Sequence, residues 1–346
     1  MPYPRRPARK VGASRTAIVL LAVLTGLILL LLTAADPAGT LVGFVLSSAA
    51  ALVVLVAYRR LDRWEPEPRR LLELGFLWGA SIAVLLAVVL EAFSGARLGA
   101  TPLVSKSFDQ AAIQAPFIEE AAKGLFLLIM MTGRRRRELD SLTDCMVYAG
   151  VTALGFAWLE DIAYLAAADS SATLAVMAVA RLTFAPFAHP LFTTMTGIGV
   201  YVALRRRGVA AKAGAILLGY LAAVALHASW NASLTLGDGQ YFLVSYLFWM
   251  VPIFTLMVVL GVLSRRHEQQ LVAAKLPGMV AAGLITPNEA TWLGSLSTRR
   301  RAIGEAKRIG GRSAGRSVAR FAAAVVELAF ARDRIDRGSA DPEGFA

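Results

Sequence analysis

The sequence predicts an all-α polytopic membrane protein, a bundle of about eight transmembrane helices followed by a cytoplasmic helical tail. Of the 346 residues, 57% are hydrophobic and only 17% are charged, and the mean hydropathy is +0.59. Apolar runs of about 20 residues, the length that crosses a bilayer as a helix, recur along the chain. Basic residues are concentrated in alternate segments between these runs, as is typical of multi-pass membrane proteins.

Eight apolar spans are predicted in order along the chain. Each is long enough to cross the hydrocarbon core, and the sixth is too long for a simple crossing. Pro186 and Pro190 lie inside the sixth span, and each proline removes a backbone donor, so we expect a kinked or broken helix there. The spans are approximately 16–34, 40–58, 71–93, 111–131, 145–167, 173–204, 209–232 and 241–263.

The charge distribution predicts the topology. The net charge is +12, but the basic residues fall in segments on one side of the bundle: 5–15, 59–70, 134–137, 205–212 and 265–266. The opposite segments, 35–39, 94–110, 168–172 and 233–240, contain only Arg97 and Lys106. The positive-inside rule therefore places both termini in the cytoplasm of a plasma-membrane protein. The basic charge is assigned to the membrane surface, and no nucleic-acid partner is expected.

Two domains are predicted, a transmembrane helical domain over residues 1–263 and a basic tail over residues 264–346. The tail has 14 basic and 8 acidic residues, a net charge of +6. Thr286-Pro287-Asn288-Glu289 has the pattern of a capping box with proline at the first helical position. Residues 318–335 show the apolar spacing of an amphipathic helix, and the end of the tail is typical of a flexible segment. Cys145 is the single cysteine, which excludes an intrachain disulfide.

The fourth span carries three ionisable residues within five positions, Glu119, Glu120 and Lys123. An ionisable group in the bilayer interior costs at least about 2.5 kcal/mol, so such groups are kept mainly where they face a cavity or a polar partner. On a helix, Lys123 can neutralise either glutamate, but one lysine cannot fully compensate two carboxylates. A buried ion pair that only fixes helix packing is the alternative to a functional site.

Further polar residues lie in three other spans. Glu160 and Asp161 lie near the end of the fifth span, and Asp161 is close enough to the boundary to reach the interface. Arg181, His189 and Thr193 lie in the sixth span, and His227 and Asn231 lie four residues apart in the seventh. The predicted topology places Glu119, Glu120, Glu160, His227 and Asn231 toward the outer side, in one shared pocket.

This set of residues indicates hydrolysis. A glutamate can act as general base toward water, and His or Asn can stabilise an oxyanion. Alternatively, His189 and His227 with Glu160 or Glu120 could ligate Zn²⁺, with the other glutamate as base. The sequence lacks His-Glu-x-x-His, and it has neither a Ser or Cys nucleophile beside a base nor paired intramembrane aspartates.

At these positions the chain resembles the PrsW family of intramembrane proteases, which is related to the CAAX-protease (CPBP) group. The resemblance rests on motifs on successive spans and covers roughly residues 60–235. Asp161 departs from it, because the family commonly has Asn after the glutamate. The matching motifs are Asp62-Arg-Trp-Glu65-Pro66-Glu67-Pro68, Glu119-Glu120-x-x-Lys123, Gly155-Phe156-Ala157-x-x-Glu160, Arg181 with His189-x-x-x-Thr193, and His227-x-x-x-Asn231.

The resemblance implies an endopeptidase that cleaves single-pass membrane proteins, anti-sigma factors being the best-known class, by a metallo- or glutamate-type mechanism. The residues expected to be catalytic are Glu119, Glu120, His189, His227 and Asn231, with Lys123, Glu160, Arg181 and Thr193 in support. Two alternative functions would explain the same intramembrane residues: a proton or metal-ion transporter, and a non-catalytic membrane scaffold. A transporter would favour a second polar track to the cytoplasmic face and pseudo-repeats, and the sequence shows neither.

Overall fold

The computed structural model describes residues 12–95, 108–236 and 240–336, and these residues contain helices and no strands. The chain forms two compact units, Met1–Arg60 with Glu67–Val258 and Leu61–Pro66 with Val259–Ala346. The α-helices are α1 Arg15–Ala35, α2 Pro37–Leu61, α3 Arg69–Trp78, α4 Val84–Gly95, α5 Ala115–Met130, α6 Leu142–Ala166, α7 Ser171–Ala178, α8 Ala188–Arg205, α9 Val209–Thr235, α10 Phe242–Ser245, α11 Val251–Ala281, α12 Pro287–Leu293 and α13 Leu296–Asp336.

Seven helical stretches among the described residues are long and apolar enough to cross a membrane. They correspond to the predicted spans except the fourth, and the all-helical membrane fold is confirmed. The fourth span is a π turn, Asp109–Gln114, followed by α5, whose 16 residues include Glu119, Glu120 and Lys123. This helix carries its three charged residues within five positions, and all three are buried.

The sixth span is broken, as its prolines predict. It consists of α7, a π turn over Val179–Phe184, and α8. Helical hydrogen bonding is interrupted at Ala185–Phe187, around Pro186, and Pro190 lies in the first turn of α8, where a missing donor is tolerated. The break starts α8 one residue before His189.

Glycines let the central helices approach closely. α6 is the most enclosed helix of the first unit, with buried residues on every turn from Thr143 to Leu159. A Cβ on its Gly155 would collide with the carbonyl oxygen of Phe76 in α3. Gly199 of α8 and Gly219 of α9 approach each other in the same way, since a Cβ on Gly219 would lie 2.9 Å from the Gly199 Cα. Small residues at such contacts are typical of helix packing in membranes.

The second unit has its own hydrophobic core. Trp64, only 2% exposed, packs there with Val272, Leu293 and Phe330. The Arg299 guanidinium lies 5.0 Å from the centre of the Trp64 ring. The capping box predicted at Thr286 is present, with Pro287 at the first helical position, and it starts α12.

Candidate active site

Three helices of the first unit bring acids, imidazoles and a lysine together in the interior. α5 supplies Glu119, Glu120 and Lys123, α8 supplies His189, and α9 supplies His227. Glu119 is 3% exposed, Glu120 and Lys123 are 0% exposed, and His227 is 2% exposed. This confinement requires each charged group to find partners within the bundle.

Glu120 is held by three donors. Its Oε1 accepts from Lys123 Nζ at 2.8 Å and faces His227 Nδ1 at 3.0 Å, while its Oε2 accepts from the Thr193 hydroxyl at 2.7 Å. A carboxylate with this many donors is fixed in orientation. Glu120 therefore connects α5 to both α8 and α9.

The Lys123 ammonium lies at the centre of the cluster. Besides Glu120, it contacts Glu119 Oε2 at 3.4 Å and His189 Nδ1 at 2.9 Å. It also lies 4.2 Å from the centre of the Phe156 ring, in a cation–π contact. Because an ammonium group can only donate, Nδ1 of His189 is the acceptor in their contact.

A second group of charges lies beside His189. His189 Nε2 lies 3.0 Å from Glu160 Oε2, and since Nδ1 accepts from Lys123, Nε2 carries the proton and donates it to Glu160. Arg181, in the π turn after α7, donates to Glu160 and to Asp161 Oδ1, the latter at 2.5 Å. Arg181 thus holds two adjacent carboxylates of α6, one of which fixes the ring of His189.

Glu119 has longer contacts than its neighbour. Its Oε2 lies 3.4 Å from Lys123 Nζ and 3.8 Å from His227 Nε2. With Nδ1 of His227 donating to Glu120, the Nε2 lone pair of His227 is directed toward Glu119. A carboxylate behind one ring nitrogen, with the other nitrogen facing the site, is the arrangement that orients histidine ligands around metals.

Glu119, His189 and His227 offer ligand atoms that all lie within 4.8 Å of one another. Two imidazoles and a carboxylate are the ligand set of one class of catalytic zinc site. Glu119, Glu120, Glu160 and Asp161 are opposed in this cluster by the cations Lys123 and Arg181, a formal excess of two negative charges. The donor types and the charge therefore fit a divalent cation. Both ring nitrogens of His189 are already engaged, so binding through all three residues requires Lys123 or Glu160 to give up its contact with His189.

Three of the sequence-predicted residues make contacts other than those expected of them. Glu160 and Glu120 were expected as the carboxylate ligands, whereas Glu119 is the acid grouped with both histidines. Glu160 accepts from Arg181, and Glu120 accepts from Lys123 and Thr193. The Asn231 amide donates to the Ala111 carbonyl at 2.7 Å, which ties α9 to the turn before α5. Its observed contact is therefore a packing contact.

Two aromatic residues of the site were not singled out from the sequence. Phe156 lies under Lys123 and 5.6 Å from the His189 ring, and Phe192 stacks on His227 at 5.0 Å. Phe156 lies within the Gly155-to-Glu160 motif, which is a signal that sequence reading could have used. Phe192 is one of many phenylalanines in apolar spans and carries no such signal.

Comparison with known proteins assigns a family to the chain that agrees with this geometry. The family model for PrsW family intramembrane metalloproteases matches residues 67–257, more than half of the chain and all of the residues in the cluster. Searches of curated proteins and of solved structures gave no match. A multi-pass helical bundle that encloses a Glu-His-His group agrees with this match, and the chain belongs to the PrsW family of intramembrane metalloproteases.

Proposed function

We propose that this metalloprotease cleaves single-pass membrane proteins at or near the outer face of the plasma membrane, with anti-sigma factors as the substrate class that the family resemblance suggests. The first domain, residues 1–263, would carry the protease, and both termini and the tail, residues 264–346, would lie in the cytoplasm. The asymmetric basic segments support this orientation.

We assign the reacting carboxylate to Glu119 and a positioning role to Glu120. The observation that carries this assignment is the difference in their contacts. Glu120 accepts from Lys123 and Thr193 and lies 3.0 Å from His227 Nδ1, whereas Glu119 has only the longer contacts to Lys123 and His227. A carboxylate with fewer donors retains lone pairs for a water molecule or an ion.

The histidines would act beside Glu119. A Zn²⁺ ion, when bound by Glu119, His189 and His227, would polarise the scissile carbonyl as a Lewis acid. Glu120 holds the Nδ1 proton of His227, so that Nε2 faces the reacting centre. Glu160 holds the ring of His189 in the same manner, and Arg181 holds Glu160. Asn231 would keep α9 in register with the start of α5.

The test uses purified Glu119→Gln, Glu120→Gln, His189→Ala and His227→Ala variants. Each is incubated with a library of single-pass membrane segments, and its zinc content is measured by mass spectrometry. Glu73→Gln, which changes an exposed glutamate on α3, is the matched control. We expect the control to cleave normally and the Glu119 and histidine variants to lose cleavage by at least about 100-fold, the scale at which single catalytic groups contribute.

The zinc content of Glu119→Gln distinguishes whether Glu119 acts as a metal ligand or as the base. If Glu119→Gln loses zinc together with activity, Glu119 acts as a ligand; if it keeps zinc and loses activity, it acts as the base. Unimpaired cleavage by all four variants would contradict the site as assigned.

A further inference from the structure

The longest helical stretch of the second unit, α13, consists of two helices that form a hairpin. α13 is interrupted at Gly311, whose φ of 73° lies in the left-handed region that glycine adopts without strain. After this residue the chain folds back, because a Cβ on Gly315 would lie 3.0 Å from the Lys307 Cβ and 3.3 Å from the Ile303 carbonyl oxygen. Residues 307–313, at the turn of the hairpin, form the hairpin tip, and every one of them is exposed.

The hairpin tip is strongly basic. Lys307, Arg308 and Arg312 lie in it, and Arg316 is exposed on the next turn. Glu305, which pairs with Arg308, is the single acid between residues 290 and 326 of the sequence. One pair leaves the other basic side chains at the tip available to an external anion.

The hairpin tip also presents an apolar side chain. Ile309 is 75% exposed and lies directly between Arg308 and the Gly310-Gly311 turn. A single exposed isoleucine is unremarkable on a protein surface. Surrounded by basic residues at the end of a hairpin, however, it combines the two features that hold peripheral segments on membranes, apolar insertion and attraction to anionic lipids.

We propose that the hairpin tip docks on the anionic surface of a phospholipid bilayer. Charge complementarity favours an anionic bilayer. Each Lys or Arg near a membrane with acidic headgroups raises the binding constant about fivefold. The apolar tip favours a bilayer over nucleic acid, because nucleic-acid backbones offer Ile309 no hydrocarbon to enter. Docking of the hairpin tip requires neither the protease assignment nor a particular side for the tail. In a reconstituted bilayer, both leaflets can be given the same lipids.

The experiment uses the full chain in nanodiscs. In a Cys145→Ser background, an environment-sensitive dye is attached at Ser313→Cys, in the hairpin tip, and Ile309 is kept. The matched control carries the dye at Leu284→Cys, an exposed apolar position in a turn of the same unit without basic neighbours in sequence. Quenching by lipid-attached quenchers is compared in nanodiscs of neutral phosphatidylcholine and in nanodiscs that also contain phosphatidylserine.

We expect quenching at position 313 to rise several-fold with phosphatidylserine and to fall again in molar salt, where the Debye length is about 3 Å. Position 284 should not respond. Combined Arg308→Gln, Arg312→Gln and Arg316→Gln changes should abolish the response, and Ile309→Ser should reduce it. Equal quenching in both lipids would overturn the proposal. So would a dye response in neutral nanodiscs to inositol hexakisphosphate or to a short DNA duplex without any response to phosphatidylserine, because these results would assign the tip to a soluble anion or to nucleic acid.

Discussion

Lys123 provides the site with a cation of its own. Its ammonium contacts Glu119, Glu120 and His189, two of which belong to the group that would hold a divalent ion. A unit positive charge and a divalent ion about 4 Å apart would repel by roughly 8 kcal/mol at an effective dielectric of about 20. The lysine therefore stabilises the acids and would oppose a divalent ion held by Glu119 and His189.

Lys123→Met should consequently bind zinc at least tenfold more tightly than the unaltered protein. Methionine keeps much of the side-chain volume and removes the charge that competes for Glu119 and His189. Breaking a buried ion pair costs about 3–5 kcal/mol, so the affinity is measured on the folded fraction by competition with a chromogenic chelator. Lys212→Met, which removes a lysine outside the cluster, should leave zinc affinity unchanged. Weaker or equal zinc binding by folded Lys123→Met would contradict the prediction that the Lys123 charge competes with zinc for Glu119 and His189.

Thr193 tests the positioning role of Glu120. Thr193→Val removes the hydroxyl that donates to Glu120 Oε2 and keeps the shape of the side chain. A buried acceptor deprived of one donor costs about 1–3 kcal/mol. We therefore expect kcat to fall about tenfold or more while zinc content is retained.

Thr196→Val is the matched control for Thr193→Val. Thr196 lies on the same helix and is 2% exposed, and its hydroxyl has no hydrogen-bond partner among the described residues. Its replacement should leave kcat unchanged. Equal activity of the two variants would show that the Thr193 contact does not position Glu120.

These residue-level contacts mark the limit of what the sequence could predict. The spacing of Glu119, Glu120 and Lys123 predicts that the lysine reaches either acid, because positions three and four apart share a helix face. The contact between Lys123 and His189, and the separation of Glu119 from Glu120 by their donors, depend on the packing of α5 against α8 and α9. No local pattern specifies that packing.

At the scale of helices, the sequence was more informative. The apolar runs and the prolines at 186 and 190 predict the spans and the break before α8, because both follow from local backbone chemistry. The π turn that carries Arg181 has no such local signal. It is recognised only once α7 and α6 are seen together, with Arg181 placed on Glu160 and Asp161.

The contact between α3 and α6 depends on Gly155. Gly155→Ala should lower the free energy of unfolding by about 1–3 kcal/mol, because the added methyl would meet the Phe76 carbonyl and force the helices apart. The change would also displace Phe156 from beneath Lys123. Thermal unfolding in detergent measures the effect. Gly26→Ala on α1 is the control, since its Cβ would meet nothing within 4 Å and alanine favours the helix. Equal melting temperatures for the two variants would show that α3 and α6 tolerate the added methyl.

At the scale of the molecule, the surface of the first unit indicates that lipid surrounds it. Large apolar side chains are exposed along α1 and α2, among them Leu20, Leu31 and Val53, each at least 60% exposed. Such surface is costly in water and expected in lipid. The charged cluster lies inside the same unit. A membrane protein thus has its polar chemistry inside and its apolar residues outside, which is why intramembrane charges in the sequence were sufficient to indicate the site.

The orientation proposed for the bundle leads to the last prediction. In a Cys145→Ala background, a single cysteine is placed at Ser171, at the start of α7, or at Ser297, in α13; both serines are exposed. If the basic segments face the cytoplasm, a membrane-impermeant maleimide added to intact cells should label Ser171→Cys and should label Ser297→Cys only after permeabilisation. The chain that keeps only Cys145, which is fully buried, should stay unlabelled in both conditions. Labelling of Ser297→Cys in intact cells would place the tail outside. The positive-inside rule would then fail for this chain. Its cytoplasmic segments would be those whose only basic residues are Arg97 and Lys106.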